Sequence, residues 1–376
     1  MPSYKEQIIT LMNACVELDA SDLHISAELP AIYRIHGRMS RIGEKVYSAE
    51  DVQQMAYGLL TDYNKSQFEK ELTLDLGYTI EGGGDNGTGN RFRINLYREQ
   101  GRCALAIRYL DGSLKTTREL GLPPQMDYLA SLKSGLVLVC GATGSGKSTT
   151  LTAILNNINE QQEKHILTVE DPVEVIHQNK KSIVHQRELY SDVHDFAGAV
   201  RAALREDPDV VMVGEMRDLE TVRSALTAAE TGHLVFSTLH TNDAVGVVER
   251  LIGIFPGNEQ SVARQRIAQA LKSVVAQTLV PTIGGRGRAV VAEILMVNNA
   301  VSNLIESSKT KQIYSIMESS ARQGMQTFDQ ALAKLVRTKS ISLESGRALC
   351  RDGNTFERLI NGQPGTTGDV AHGGAH

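Results

Sequence analysis

No stretch of this chain approaches the ~20 consecutive apolar residues that a membrane-spanning helix needs, and its start, Met1-Pro2-Ser3-Tyr4-Lys5, is already polar. Neither a membrane span nor a secretory leader is expected. Cysteine is scarce: Cys15, Cys103, Cys140 and Cys350 stand far apart with no C-x-x-C pair, which argues against a zinc site and for a reducing cytoplasm. Excess positive charge is missing as well. With 39 basic and 44 acidic residues the net charge is −5, and no basic or aromatic-rich stripe gives a nucleic acid its electrostatic footprint.

What is present is the composition of a globular protein, 41% hydrophobic and 22% charged. At 376 residues the chain exceeds one ordinary core, so two domains of about 150 residues each are expected.

The chain is organised around Gly141-Ala142-Thr143-Gly144-Ser145-Gly146-Lys147-Ser148. The apolar run Gly135 to Cys140 before it reads as a buried parallel strand. Three glycines let the backbone turn so that successive amides face a phosphate, at the positive end of the following helix. Lys147 then reaches the β- and γ-phosphates and Ser148 offers a hydroxyl to Mg²⁺, the whole phosphate-loop pattern in its strand-to-helix setting. The alternative, a Gly/Ser surface turn that happens to carry a lysine, does not explain the strand. ATP and Mg²⁺ are the expected ligands.

Upstream, Ile8, Leu11, Met12, Cys15 and Val16 give a helix over 4–18 that Ser21-Asp22 breaks before a strand, Leu23 to Ile25. A hairpin follows over 31–42, turning at His36-Gly37, and Ser48 to Asp51 caps a second helix. Three alternating strands come next: Leu74 to Ile80, Arg91 to Arg98 and Arg102 to Leu110. If Gln100-Gly101 is a two-residue turn, Phe92, Ile94 and Leu96 face Tyr109, Ile107 and Leu105, and Arg93 lies opposite Arg108. Opposed like charges are destabilising unless an anion is near. The two arginines are either a solvated face or an anion clamp that contacts nucleotide.

Periodicity is lost around 111–118, which gives an α+β domain over 1–111, a linker over 112–118 and an α/β domain over 119–362. In the second domain strands and helices alternate, including helices over 195–205, 242–255 and 259–279 and a strand over 289–296. The Gly/Thr/His-rich tail 363–376 has little to bury and is expected to be disordered.

Two apolar strands in the second domain end in acids, where an α/β sheet binds its ligands. Val210 to Val213 leads to Glu215, the expected water-orienting base, with Asp218 nearby as a possible helix cap. Ile166 to Val169 leads to Glu170 and Asp171, both within reach of metal-bound water, with Glu170 a catalytic candidate and Asp171 before Pro172 alternatively a turn residue; Ser148, Glu170 and Glu215 are the candidate metal ligands. His240 closes the strand Leu234 to Leu239 in a position to sense a γ-phosphate, while His233 at the strand's start suits a subunit contact. Arg201 and Arg205, four apart on the 195–205 helix, are either solvated or suppliers of transition-state charge.

Four boxes in order, Gly141 to Thr149, Glu170 to Glu174, Leu204 to Asp218 and Thr231 to Thr241, resemble those of the secretion ATPase superfamily, and within it the retraction ATPases of type IV pili. The likeness runs from Ser21-Asp22-Leu23-His24 to Gly324-Met325-Gln326-Thr327-Phe328. It implies a PAS-like domain joined to a RecA-like ATPase domain, a hexamer, nucleotide contacts from Gly141 to Thr149, and functional arginines at Arg93, Arg108, Arg201 and Arg205. It also implies a pilus platform protein as partner, at the inner face of the cytoplasmic membrane, with no nucleic acid and no direct membrane insertion. Assembly and type II secretion relatives usually carry a four-cysteine module where this chain has only Thr282 to Gly287, which favours the retraction branch. One departure is the segment Ala300 to Glu306, where both arginines of that branch are missing; it bears on retraction rather than on ATP hydrolysis. The rival readings are an assembly or secretion motor, an accessory retraction paralogue, a nucleic-acid translocase, and a nucleotide-binding ring without turnover.

Overall fold

The computed structural model describes residues 2–82, 89–285 and 287–362; most of the glycine-rich loop 82–89 and the whole 363–376 tail, with the disorder expected of it, lie outside the described residues. The chain divides into two units. One holds residues 1–114 with 169–179 and 184–199; the other holds 115–168, 180–183 and 200–376.

The first unit opens with α1 (Tyr4–Glu17), β1 (Ala20–Ser26), β2 (Ile32–Ile35) and β3 (Arg38–Arg41), then α2 (Ala49–Tyr57), α3 (Asp62–Glu71), β4 (Thr73–Ile80), β5 (Asn90–Glu99) and β6 (Arg102–Leu110). Capping boxes start α1 at Ser3 and α2 at Ser48, each satisfying otherwise orphaned amides. Ser21 and Asp22 lie inside β1, not at a helix break; the chain leaves α1 at Leu18 and turns at Asp19, whose φ is 52°. The strands form an antiparallel sheet in the order β3-β2-β1-β6-β5-β4. Ile8 and Met12 of α1 and Val52 and Met55 of α2 pack with Leu23, Phe92, Ile94 and Ile107 of the sheet. Each such side chain, fully buried, contributes about 1.5–3 kcal/mol.

The Gln100-Gly101 turn has φ of 50° and 78°, the left-handed pair of a type I′ hairpin. Register follows from it. Phe92 faces Tyr109, Ile94 faces Ile107, Leu96 faces Leu105, and Arg93 faces Arg108. The anions that make this arginine pair tolerable come from the sheet itself: Arg108 Nε lies 3.0 Å from Asp22 Oδ1, and Arg93 Nε 3.0 Å from Asp75 Oδ2. Burial pushes the Asp22 carboxyl up, but the Ser21 hydroxyl and the Arg108 and Arg34 guanidiniums outweigh it and hold the group below the usual range.

Helix α3 is absent from the sequence reading because it is polar almost throughout, with only Asn64 and Phe68 buried. A second unread element, β9 (Ile183–Glu188), ends in a buried carboxylate. Glu188 accepts hydrogen bonds from the Gly77 amide at 3.0 Å and the Val173 amide at 3.1 Å, and pairs with Arg91. Arg91 also donates to the Val173 carbonyl at 3.0 Å. A Cβ at position 77 would stand 2.0 Å from Arg91 Nη2 and 2.5 Å from Glu188 Oε2, so any larger residue there would displace this pair. This buried network ties segments 169–179 and 184–199 to β4 and β5.

The second unit contains α4 (Gln125–Ala130), β7 (Gly135–Cys140), α5 (Lys147–Gln161), the start of β8 (His165–Glu170), the end of α6 (Phe196–Ala203), β10 (Val210–Val213), α7 (Leu219–Glu230) and β11 (Leu234–Leu239). These are followed by α8 (Ala244–Ile254), α9 (Gln260–Ala270), β12 (Leu271–Pro281), β13 (Arg288–Met296), α10 (Asn299–Glu306), α11 (Ile313–Ser319), α12 (Phe328–Arg337), α13 (Leu343–Leu349) and α14 (Gly353–Ile360). Within this unit the strand order is β13-β12-β7-β11-β10-β8. β7 pairs in parallel with both β11 and β12, and β13 closes the far edge antiparallel to β12.

Here the expected 259–279 helix is wrong in its second half. Helix α9 stops at Ala270, and Leu271 to Pro281 is a strand buried along nearly all its length. A segment covered on both faces shows no period of two to separate it from helix. Likewise α6 ends at Ala203, so Arg201 and Arg205 do not share one helix face. Among the described residues no helix is long and apolar enough to cross a membrane. All four cysteines are free thiols; burial pushes Cys15 up to about 11 and Cys140 up to about 12, so neither forms a reactive thiolate at neutral pH.

Candidate nucleotide site

β7 is buried at every position and ends at Cys140, and the loop after it opens with Gly141, whose φ is 147°. A Cβ there would stand 2.4 Å from the Gln277 carbonyl oxygen and 2.5 Å from Ser145 Oγ. Gly144 and Gly146 have φ of 78° and 88°, left-handed values that a side chain resists. The loop therefore folds back on its strand, and Ala142, Thr143 and Gly144 remain exposed. Lys147 and Ser148 open α5 directly after it, where the first-turn amides have no partner within the helix. Ser148 and Thr149 are exposed.

Lys147 is buried, and its Nζ donates to the carbonyls of Gly141 and Ala142, each at 3.0 Å. Burial holds its ammonium below the ordinary lysine value, with Cys140 and the Glu215 carboxylate pulling it back up. A buried cation beside a glycine loop that opens a helix is what a phosphate tail requires.

The register of the sheet brings the other groups alongside. Leu239 pairs with Cys140 across β11 and β7, which sets His240 next to the loop. Val213 pairs with Ser237 across β10 and β11, and two hydroxyls of β11 lock the chain leading to Glu215. Ser237 Oγ donates to the Val213 carbonyl at 2.7 Å, and Thr238 Oγ1 to the Gly214 carbonyl at 2.6 Å. Glu215 Oε2 lies 3.6 Å from His240 Nε2, and Oε1 lies 2.7 Å from Arg217 Nε. Three chemistries thus meet at the carboxyl ends of three adjacent strands: a buried cation, a carboxylate that can orient or deprotonate water, and an imidazole in contact with it.

The remaining candidates make the following contacts. Asp218 caps α7 by accepting from the Thr221 amide at 2.9 Å. Arg201 Nη1 donates to Ser224 Oγ at 3.4 Å, and Arg205 is exposed in the turn after α6. Glu170 ends β8 within the first unit, where Gln186 Nε2 donates to its Oε1 at 3.1 Å. His233 Nδ1 lies 3.0 Å from the Ala228 carbonyl, a local contact at the end of α7.

Two residues of this site were not singled out in the sequence. Arg217 lay in plain view in the Gly214 to Asp218 run, but its contact with Glu215 has no sequence signal. Gln277 of β12 is buried and donates from Nε2 to the Ser145 carbonyl at 2.7 Å across 132 positions of chain. Reading Leu271 to Leu279 as helix hid it.

Compared with known proteins, residues 5–345 match the family described as Type II/IV secretion system protein. The type IV pilus retractation ATPase PilT of Pseudomonas aeruginosa is 42% identical over 90% of this chain and 97% of its own length. The type IV pilus ATPase PilU of the same organism is 35% identical over 98% of this chain and 93% of its own. Among solved structures, the pilus retraction motor PilT with bound ADP superposes with a TM-score of 0.84 at 41% identity, covering 93% of this chain and 99% of that one. The Legionella pneumophila ATPase DotB follows at 0.82 and 26%, covering 92% and 95%. Likeness at this level bears out the α/β fold class, a RecA-like domain preceded by a smaller α+β domain. The chain belongs to the Type II/IV secretion system protein family and is one of its ATPases, similar along most of its length to pilus retraction motors.

Proposed function

We propose that this ATPase is an oligomeric motor that couples ATP hydrolysis to type IV pilus retraction. The observation that carries turnover is the Glu215 carboxylate held against His240 at a strand end beside the phosphate loop. Direction of force rests on likeness: 42% identity to a retraction ATPase against 35% to PilU and 34%, over 56% of its length, to the type II secretion protein HxcR. Deleting the gene is expected to leave surface pili in place and abolish twitching. Pili lost together with movement would make the chain an assembly motor instead.

In this reading the chain forms a homohexamer in the cytoplasm and reaches the membrane through an inner-membrane platform protein. Mg²⁺ would suit the Ser148 hydroxyl and the Glu215 carboxylate, hard oxygen donors of the kind it prefers, and Glu170 is kept as a further candidate ligand. When bound it would neutralise phosphate charge. Lys147 holds the phosphate tail, Glu215 orients the attacking water and receives its proton at a carboxylate oxygen, and His240 fixes that carboxylate. Gln277 keeps the loop seated by its bond to the Ser145 carbonyl. The segment Ala300 to Glu306 lies in α10 with Val301 and Ile305 buried, while Ser302 and Glu306, which stand at the two arginine positions, are half-buried and exposed.

Arg201 and Arg205 remain candidates for transition-state charge, and Arg93 and Arg108 for anion contact. The latter two already hold Asp75 and Asp22, so nucleotide would add to an existing charge row rather than relieve a bare repulsion. Arg93→Ala and Arg108→Ala are each expected to slow steady-state hydrolysis about tenfold in the assembled oligomer, the loss of one charged contact. Unchanged rates in both variants would leave them as a solvated face.

A further inference from the structure

Glu293 of β13 is completely buried, and three donors converge on its carboxylate. The Ala244 amide, the first of α8, donates to Oε1 at 2.7 Å; the Phe328 amide, the first of α12, donates to Oε2 at 3.3 Å; Arg351 Nη1 donates to the same oxygen at 2.6 Å. The other arm of Arg351, Nη2, donates to the Asn242 carbonyl at 2.9 Å. One ion pair therefore ties both Asn242 and Ala244, the two residues that flank Asp243, the N-cap of α8. His240 is two residues upstream of Asn242.

The arginine is itself fixed from the C-terminal helices. Its amide donates to Asp329 Oδ1 at 2.8 Å, the next amide, Asp352, donates to Oδ2 at 2.9 Å, and its guanidinium lies 5.0 Å from the centre of the Phe328 ring. Burial pushes the Glu293 carboxyl up, while the Ala244 amide and the Arg351 charge draw it back. An ion pair in such a place gives no general gain over apolar packing. Its distinctive property is geometric, since the planar fork of a guanidinium holds a buried carboxylate and a loop carbonyl in one fixed relation.

We propose that Glu293 and Arg351 are positioning residues that clamp the 240–244 loop, so that the placement of His240 on Glu215 depends on the C-terminal helices being docked. The inference rests on the reading of Glu215 and His240 as the hydrolytic pair. It makes the seat of α12 to α14 a condition for turnover and not for nucleotide binding, because neither residue touches the phosphate loop.

The test is a double-mutant cycle on the full chain, with kcat, KM for ATP and ADP affinity measured for Arg351→Met, Arg351→Lys, His240→Ala and the His240→Ala/Arg351→Met double variant. Arg351→Met is expected to lower kcat about tenfold with KM within about twofold, and Arg351→Lys to recover part of that loss. The double variant is expected to be no slower than His240→Ala, the mark of two residues acting through one contact. If Arg351→Met does not fold, Glu293→Gln combined with it removes both charges together and carries the same comparison. Full additivity with a slow His240→Ala overturns the clamp alone, as does an unchanged kcat in Arg351→Met. An unmodified rate in His240→Ala instead overturns the hydrolytic reading beneath it.

Discussion

Glu215→Gln is expected to bind ATP as tightly as the unmodified protein and to hydrolyse it about a thousandfold more slowly, within the range that loss of general-base help with its electrostatics allows. The substitution keeps the shape: one amide oxygen can still accept from Arg217 and the amide nitrogen can still face His240, so the strand end that Ser237 and Thr238 secure is undisturbed. What disappears is the lone pair able to take a proton from water at neutral pH. Phosphate release in the assembled oligomer and equilibrium binding of a fluorescent nucleotide separate the two effects. A large loss of affinity alongside the loss of rate would mean that Glu215 works on phosphate or metal and not on water.

Lys147→Ala is expected to do the reverse, weakening nucleotide binding by about a hundredfold or more. Charge-assisted hydrogen bonds contribute about 1.5–3 kcal/mol each, and this ammonium reaches more than one phosphate oxygen. Its fold should survive, since the carbonyls it leaves at Gly141 and Ala142 lie in a loop partly open to water. A pH signature accompanies it. Burial sets the Lys147 pKa below the ordinary 10.5, so affinity in the unmodified protein falls as pH rises through that depressed value and the cation is lost. Because the Glu215 carboxylate pulls the same pKa upward, the alkaline fall in affinity should move to lower pH in Glu215→Gln. No movement of that limb between the two proteins would separate Glu215 from the lysine electrostatically.

Most of the architecture was legible where local chemistry decides it. The Gln100-Gly101 turn fixes a two-residue hairpin, and from it the whole β5-β6 register follows, down to Arg93 against Arg108. The phosphate loop was legible because its glycines and lysine perform one task in one order. What escaped was decided by distant chain. Asp22 and Asp75 neutralise the arginine pair from neighbouring strands, and nothing in the spacing of β5 and β6 announces them. Helix α3 has no apolar stripe, and β12 has no polar face, so periodicity misleads in opposite ways. In the site, Glu215 and His240 were visible at strand ends, whereas Gln277 owes its place to a strand pairing that only the folded sheet creates.

The position of β7 between β11 and β12 has a consequence for how this ATPase unit opens. Its backbone is paired on both sides from Leu136 to Cys140, and every side chain of the strand is buried. Each amide there donates to one neighbouring strand or the other and is shielded on both faces, so it meets solvent deuterium only when the middle of the buried sheet opens, an event close to global unfolding. Val137 to Val139 should therefore be the slowest-exchanging stretch of the unit. Bound nucleotide stabilises the native state as a whole, so it should slow exchange in β7 by the same factor by which it lowers the unfolding constant, turning this strand into a direct gauge of ligand binding free energy.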